Sequence, residues 1–142
     1  MLYFAVDDSS DTVTHATFRD EIDKSFVLRK TSDLHTACVQ YSDGDLSSFD
    51  KFVVEQNGTN FTCAVYAQMR KIRPGTVVNY GELARMAGSP GAARAVGSAC
   101  ARNQIALIVP CHRVVSAQGI GGYEYGTAMK EKLLRHEGLD NL

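Results

Sequence analysis

The side chains best suited to chemistry gather at Pro110-Cys111-His112-Arg113-Val114, where a thiol, an imidazole and a guanidinium follow one another. They come directly after the apolar run Ile105-Ala106-Leu107-Ile108-Val109, which reads as a buried strand delivering the thiol to the edge of a core. A free cysteine has a pKa of about 8.5, so only a few per cent is thiolate at neutral pH. A histidine or arginine beside it favours the anion, which is the nucleophile. Sequence neighbours need not face one another, however, and these residues alone suit a buried structural cysteine at least as well.

Cys38, Cys63 and Cys100 complete the cysteines, with no CxxC pair and no nearby histidine repeat. That is poor material for a zinc site or a disulfide framework, and points to reduced intracellular thiols. No apolar run is long enough to span a bilayer. Met1 to Val6 is apolar, but Asp7 and Asp8 interrupt it at once, so it does not read as a signal peptide. The expected location is cytoplasmic, or nuclear in a eukaryote, without membrane association.

The elements that must hold these residues fall into two halves, giving an α+β fold. Leu2 to Val6, Val13 to Phe18 and Phe26 to Arg29 are β-branched or aromatic runs between Asp/Ser-rich turns, as in a small antiparallel sheet. Leu34 to Tyr41 suits a short helix, and Phe49, Phe52 and Val53 fit one face of another. Gln56-Asn57-Gly58-Thr59 reads as a linker, so the expected units are residues 1–57 and 58–142.

The second half reads as mainly helical. Val65, Tyr66, Met69 and Ile72 recur at helix spacing after Thr62 and stop at Arg73-Pro74-Gly75. Asn79 is placed to cap a helix from Tyr80 to Ala87. Gly88-Ser89-Pro90-Gly91 is a sharp turn, and Ala92 to Arg102 forms a second helix. Helix, short turn, helix is the order of a helix-turn-helix.

Net charge is −1 over 142 residues, but it is polarised. Met1 to Asn57 holds 5 basic and 11 acidic residues, Gly58 to Leu142 holds 10 and 5. Seven basic residues and the single acid Glu82 lie between Arg70 and Arg113, the footprint of a polyanion partner or of a solvated basic face. The second helix is built of Ala92, Ala93, Ala95, Gly97, Ser98 and Ala99 around Arg94 and Arg102. Small residues allow close packing in a core, and equally suit the DNA minor groove, about half as wide as the major groove.

The wider pattern resembles the O6-alkylguanine-DNA alkyltransferases, the methylated-DNA–protein-cysteine methyltransferases. Pro110-Cys111-His112-Arg113-Val114 is their signature. The resemblance runs from about Phe61 to Gly138 and takes in Gly75, Val78-Asn79-Tyr80, Glu82-Leu83-Ala84, Ala92 to Gly97, Asn103, Gly121-Gly122-Tyr123, Lys130, Leu133-Leu134 and His136-Glu137-Gly138. It implies that Cys111 attacks the alkyl carbon on guanine O6, irreversibly and once per molecule, without metal or organic cofactor. By the same resemblance His112 takes the thiol proton through a water molecule, Glu137 orients the imidazole as in a serine triad, and Asn103 braces the turn before the cysteine. Tyr80 would donate to the departing guanine, help of a kind that typically contributes about 10²–10⁴-fold.

The target base must leave the duplex, at a cost of a few kcal/mol. The resemblance gives Arg94 the role of filling the vacated stack, with the helix Ala92 to Arg102 in the minor groove. Thr62, Tyr80, Gly81, Ser89 and Arg94 would contact DNA without reading sequence, with the protein acting as a monomer. Val114, Tyr123 and Glu124-Tyr125-Gly126 would close the pocket, and the backbone carbonyls near Cys111 and Val114 would read the guanine amino group.

The chain also departs from the family. Two prolines usually follow the asparagine, and Gln104 and Ala106 stand in their places. Ala106 would replace a wall of the pocket and leave room for larger alkyl groups. Cys100 replaces a larger apolar residue and reads as core. The N-terminal half is short and acidic, and is expected to be a scaffold related to a shortened ribonuclease-H-like sheet. No zinc ligand set is visible there, His15, His35 and Cys38 included. Three rival functions are a lesion-binding alkyltransferase-like protein, which lacks the acceptor cysteine; a transcription regulator, which needs a side-chain-rich recognition helix; and a cysteine hydrolase, which needs an oxyanion hole.

Overall fold

The structure, a computed structural model, describes residues 3–6, 12–18 and 32–142. The strand expected at Phe26 to Arg29 lies outside the described residues. The chain divides into two compact units, Met1–Gln56 with Gln104–Ile108, and Asn57–Asn103 with Val109–Leu142. A single boundary after residue 57 does not anticipate the return of 104–108 to the first unit.

In that first unit β1 (Tyr3–Val6) pairs antiparallel with β2 (Val13–Thr17), with a register irregularity at Ala5/Val6. Parallel bridges join Val13 to Val54 and Ala16 to Ile105. Helix α1 (Ser32–Ser42) follows the expected position, and its Leu34, Ala37 and Tyr41 are buried. The helix expected around Phe49 to Val53 does not form. Turns hold residues 46–51, where Ser48 Oγ donates to the Ala37 carbonyl at 2.7 Å, and Val53 is 65% exposed. Phe49 is buried against Tyr41, so its contact is supplied by a turn instead of a helix face.

The expected strand at Ile105 to Val109 is also absent. Ile105 makes one bridge and the chain then turns, with Ile108 N–H donating to the Ala106 carbonyl at 2.8 Å across Leu107 at φ 71°. This three-residue turn is the rare γ form, and a side chain held there costs on the order of 1–3 kcal/mol. Leu107 is 7% exposed, so burial of its apolar side chain offsets that strain.

The second unit contains α2 (Asn60–Met69), α3 (Tyr80–Met86), α4 (Ala93–Ala101) and α5 (Thr127–His136), with a 3₁₀ turn over Cys111–Arg113. Thr59 caps α2, its hydroxyl accepting from Thr62 N–H at 3.1 Å. Asn79 caps α3 as expected, its side chain accepting from Glu82 N–H at 2.9 Å. The half is not wholly helical. Strand β3 (Val78–Asn79) pairs in parallel with β4 (Val114–Val115). Through that short ladder the start of α3 is tied to the residues immediately after Cys111. Among the described residues no helix is long and apolar enough to cross a membrane.

Candidate active site

The turn carrying Cys111 is set by local backbone geometry. Pro110, at φ −85° and ψ 67°, sits in an inverse γ-turn in which Cys111 N–H donates to the Val109 carbonyl at 2.9 Å. The buried Asn103 side chain donates to that same carbonyl at 2.9 Å. Arg113 N–H then donates to the Pro110 carbonyl at 3.0 Å, closing the 3₁₀ turn. Asn103 therefore fixes the carbonyl on which the cysteine's own backbone turns.

Behind the turn lies a buried ionic cluster. His112 is fully buried, with Nε2 3.0 Å from Glu137 Oε2. Arg113 Nε donates to Glu137 Oε1 at 2.9 Å and its NH2 group to Oε2 at 2.8 Å, while NH1 donates to the Ile72 carbonyl at 2.8 Å. Burial alone would raise the Glu137 carboxyl, but the hydrogen bonds from His112 and Arg113 overcome it and hold the pKa at about 2. A carboxylate can only accept, so His112 carries its proton on Nε2, and among the described residues none bonds the Nδ1 lone pair. Burial lowers the His112 pKa against the pull of Glu137, leaving a neutral imidazole available as a base.

Glu137 reaches this position because of how α5 is built. Lys130, Leu133, Leu134 and Glu137 stand at i, i+3, i+4 and i+7 and are all buried. Gly138, at φ 102°, ends the helix, with its N–H donating to the Arg135 carbonyl and Leu139 N–H to the Leu134 carbonyl, each at 3.0 Å. This is a Schellman closure. Lys130 Nζ donates to the carbonyls of Val114 at 2.6 Å and Gly122 at 3.0 Å.

A cavity of about 350 Å³ is lined by Tyr80, Gly97, Cys100, Ala101, Cys111, Gly122, Tyr123 and Glu124. Burial raises the Cys111 thiol pKa; the Asn103 hydrogen bond and the Lys130 charge pull it down, and Glu124 pushes it up. The resting group is a thiol. The sequence expectation that the neighbouring guanidinium would favour the anion is corrected, because Arg113 is spent on Glu137 and on the Ile72 carbonyl. Burial likewise raises the Tyr80 hydroxyl, so it keeps its proton as a donor. Gly121 has φ 77°, and a Cβ there would stand 3.0 Å from Ser116 N, 3.2 Å from the Tyr80 hydroxyl and 3.5 Å from Lys130 Nζ. Only glycine leaves room for this junction.

Of the expected site residues, Cys111, Tyr80, Tyr123 and Glu124 meet at the cavity, with His112, Glu137 and Asn103 clustered around the Cys111 turn. Tyr125 packs its ring edge-on against Tyr123, at 5.3 Å between centroids. Val114 does not line the cavity: it is buried, and its carbonyl is taken by Lys130. Ala106 belongs to the first unit, where its N–H donates to the Ala16 carbonyl at 2.8 Å, and is not among the lining residues. Thr62 is 4% exposed with its hydroxyl 3.0 Å from that of Thr59. It is used in the start of α2 and is withdrawn from the surface. Gly81 and Ser89 are partly exposed and Arg94 is exposed.

Four residues take places that the sequence reading did not give them. Cys100, expected in the core, is on the cavity wall, its thiol pushed up by burial to about 12. Gly97 lines the cavity too, and a Cβ there would meet nothing within 4 Å. Arg113 clamps Glu137, and Lys130 ties two loops together. The signal for Lys130 was present, since a lysine and a glutamate share the apolar stripe of α5.

The small side chains of α4 are not there for the core alone. Val96 and Ala99 are buried, whereas Arg94, Ala95, Ser98, Ala101 and Arg102 are exposed. The exposed stripe is smooth, with an arginine at each end.

Comparison with known proteins bears on this arrangement. The family described as 6-O-methylguanine DNA methyltransferase, DNA binding domain, matches residues 60–139. A methylated-DNA--protein-cysteine methyltransferase of Shigella flexneri is 47% identical over 100 residues, 70% of this chain and 58% of that protein, so the chain matches little more than half of that relative's length. The crystal structure of Mycobacterium tuberculosis OGT in complex with DNA superposes with a TM-score of 0.82 at 33% identity, covering 94% of this chain and 85% of that one. A structure of S. pombe ATL in complex with DNA matches with a TM-score of 0.53 at 33% identity, over 59% of this chain and 81% of that one.

Proposed function

Because the chain belongs to the 6-O-methylguanine DNA methyltransferase family, we propose that it repairs duplex DNA by moving the alkyl group on guanine O6 onto its own Cys111. The observation that carries the reading is the cavity thiol of Cys111 next to a buried His112 whose far nitrogen is held by Glu137. The thiol proton passes to His112 Nδ1, through a water in the manner of the family. Cys111 Sγ forms a bond to the alkyl carbon as the carbon–O6 bond breaks. The electron pair goes to the guanine, and Tyr80 supplies the proton that neutralises it. The product is a thioether, whose carbon–sulfur bond is not displaced by guanine under neutral conditions, so each molecule acts once.

The α3–turn–α4 unit serves as a helix-turn-helix that enters the minor groove through the smooth face of α4. The minor groove is only about 6 Å wide, and the exposed face of α4 between Arg94 and Arg102 carries nothing larger than alanine and serine. Arg94 fills the space left by the flipped base, and Tyr80, Gly81 and Ser89 approach the backbone. Binding is independent of sequence because phosphate contacts carry no base information. The first unit acts as a scaffold, and one monomer serves each lesion.

The alternative is a lesion-binding protein without transfer. Incubation with a duplex carrying O6-methylguanine, followed by intact mass and peptide mapping, decides between them. Transfer adds one methylene equivalent to the Cys111 peptide and is abolished in Cys111→Ser. Binding with no mass change would select the alternative.

A further inference from the structure

The cavity wall carries a second sulfur that alkyl transfer itself does not use. Cys100 lines the same space of about 350 Å³ as Cys111, and neither is tied in a disulfide. Both belong to the second unit, Cys100 on α4 and Cys111 on the 3₁₀ turn. After burial, negative charge on Cys111 is the largest influence on the Cys100 thiol, as expected of close neighbours. Among the described residues on this wall, Tyr80, Tyr123 and Glu124 offer oxygen nucleophiles, and sulfur is intrinsically the more nucleophilic atom.

We infer that Cys100 is a second acceptor, reserved for bifunctional adducts. When the group moved from guanine O6 carries a leaving group on its next carbon, Cys100 captures that carbon. The two cysteines then end joined by a two-carbon bridge. The inference rests on the functional reading above. For the first displacement the reacting carbon must lie at Cys111 Sγ, so the rest of the transferred group stays in the space that both sulfurs line. Burial pushes the Cys100 thiol up to about 12, which leaves roughly one part in 10⁵ as thiolate at pH 7. Against a dissolved electrophile that makes the thiol inert. A well-oriented tethered electrophile reaches an effective concentration of about 10⁵ M, which offsets the small thiolate fraction.

The steps balance for a chloroethyl adduct with chlorine on the outer carbon. Cys111 Sγ bonds the inner carbon as carbon–O6 breaks, as it does for methyl. Its sulfur lone pair then displaces chloride from the outer carbon and closes a three-membered cyclic sulfonium ion. Cys100 Sγ attacks a ring carbon, the ring carbon–sulfur pair returns to Cys111, and the Cys100 proton passes to water. Beyond the repaired guanine, only chloride and that proton are released, and no oxidant or reductant takes part.

The test mixes excess protein with a duplex freshly bearing O6-chloroethylguanine, then maps the tryptic peptides by mass. Cuts after Arg94, Arg102 and Arg113 place Cys100 on residues 95–102 and Cys111 on residues 103–113, so a bridge joins two peptides that otherwise separate. The wild type should give the joined pair, on a protein one water lighter than its hydrolysed hydroxyethyl form. Cys100→Ala should lose the pair completely and carry the hydroxyethyl group on Cys111. Wild-type product found wholly as the hydroxyethyl form, or tied from Cys111 to Tyr80, Glu124 or DNA, overturns the inference. An O6-methylguanine duplex run alongside separates the two levels: no methyl on Cys111 in the wild type refutes the functional reading, whereas methyl transfer without the joined pair refutes the role of Cys100 alone.

Discussion

Arg113 grips Glu137 at two points, with Nε on Oε1 at 2.9 Å and the NH2 group on Oε2 at 2.8 Å. The same carboxylate holds His112, so the guanidinium next in sequence to the imidazole positions it through a residue 24 places further on. Removing one partner of a buried ion pair typically costs about 3–5 kcal/mol, because the other charge is left without compensation. Arg113→Ala should therefore lower the thermal midpoint and slow alkyl transfer together. Arg113→Lys, which keeps the charge but not the planar fork, should recover part of the stability and less of the rate. Equal recovery of both would show that the fork geometry is unimportant.

Acid should unfold the protein through the same cluster. Glu137 has its pKa depressed from 4.5 to about 2. Its contribution, roughly 3 kcal/mol at about 1.4 kcal/mol per unit, is present above pH 4.5 and is lost as pH falls towards 2. His112 is depressed below 6.5 by burial. The unfolded chain binds that proton first, so stability also begins to fall below pH 6.5. Denaturant midpoints measured from pH 7 to pH 3 should decline throughout, and Glu137→Gln should flatten the lower part of the curve. A midpoint independent of pH in the wild type would contradict the buried pairing.

Cys111 should be slow towards simple electrophiles despite its proposed role. Burial raises its thiol, and the anion is the reactive form. Cys63 is exposed on α2. Brief treatment with iodoacetamide at pH 7, followed by peptide mapping, should label Cys63 before Cys111. Preferential labelling of Cys111 would mean a resting thiolate, and would shift the proton transfer to before DNA binding.

Gly97 separates stability from function. Glycine inside a helix costs roughly 0.5–1 kcal/mol relative to alanine, and a Cβ here meets nothing within 4 Å. Gly97→Ala should raise stability by up to about that amount. Gly97→Leu fills a cavity lined by Cys111, and should reduce transfer of benzyl more than of methyl. Equal loss for both groups would place the defect in DNA binding instead.

Much of the site was legible before any fold was known. The Pro110-to-Val114 signature, its long chain of matching residues, the Asn79 cap and the extents of α1 and α4 follow from local residue types, because capping and 3.6-residue periodicity are local effects. The dipeptides at Gly88 to Gly91 and Arg73-Pro74-Gly75 likewise announce their turns.

Tertiary structure decided what depends on distant partners. An apolar run cannot show whether it will find a ladder, and Ile105 to Val109 became a pair of tight turns where a strand was expected. Thr62 became an internal part of a helix start, and Cys100 a wall of the cavity. The protonation states were hidden most completely. Adjacency suggested that Arg113 would charge Cys111, yet the guanidinium turns to Glu137. Desolvation and pairing depend on what surrounds a group in three dimensions, and no spacing along the chain encodes that.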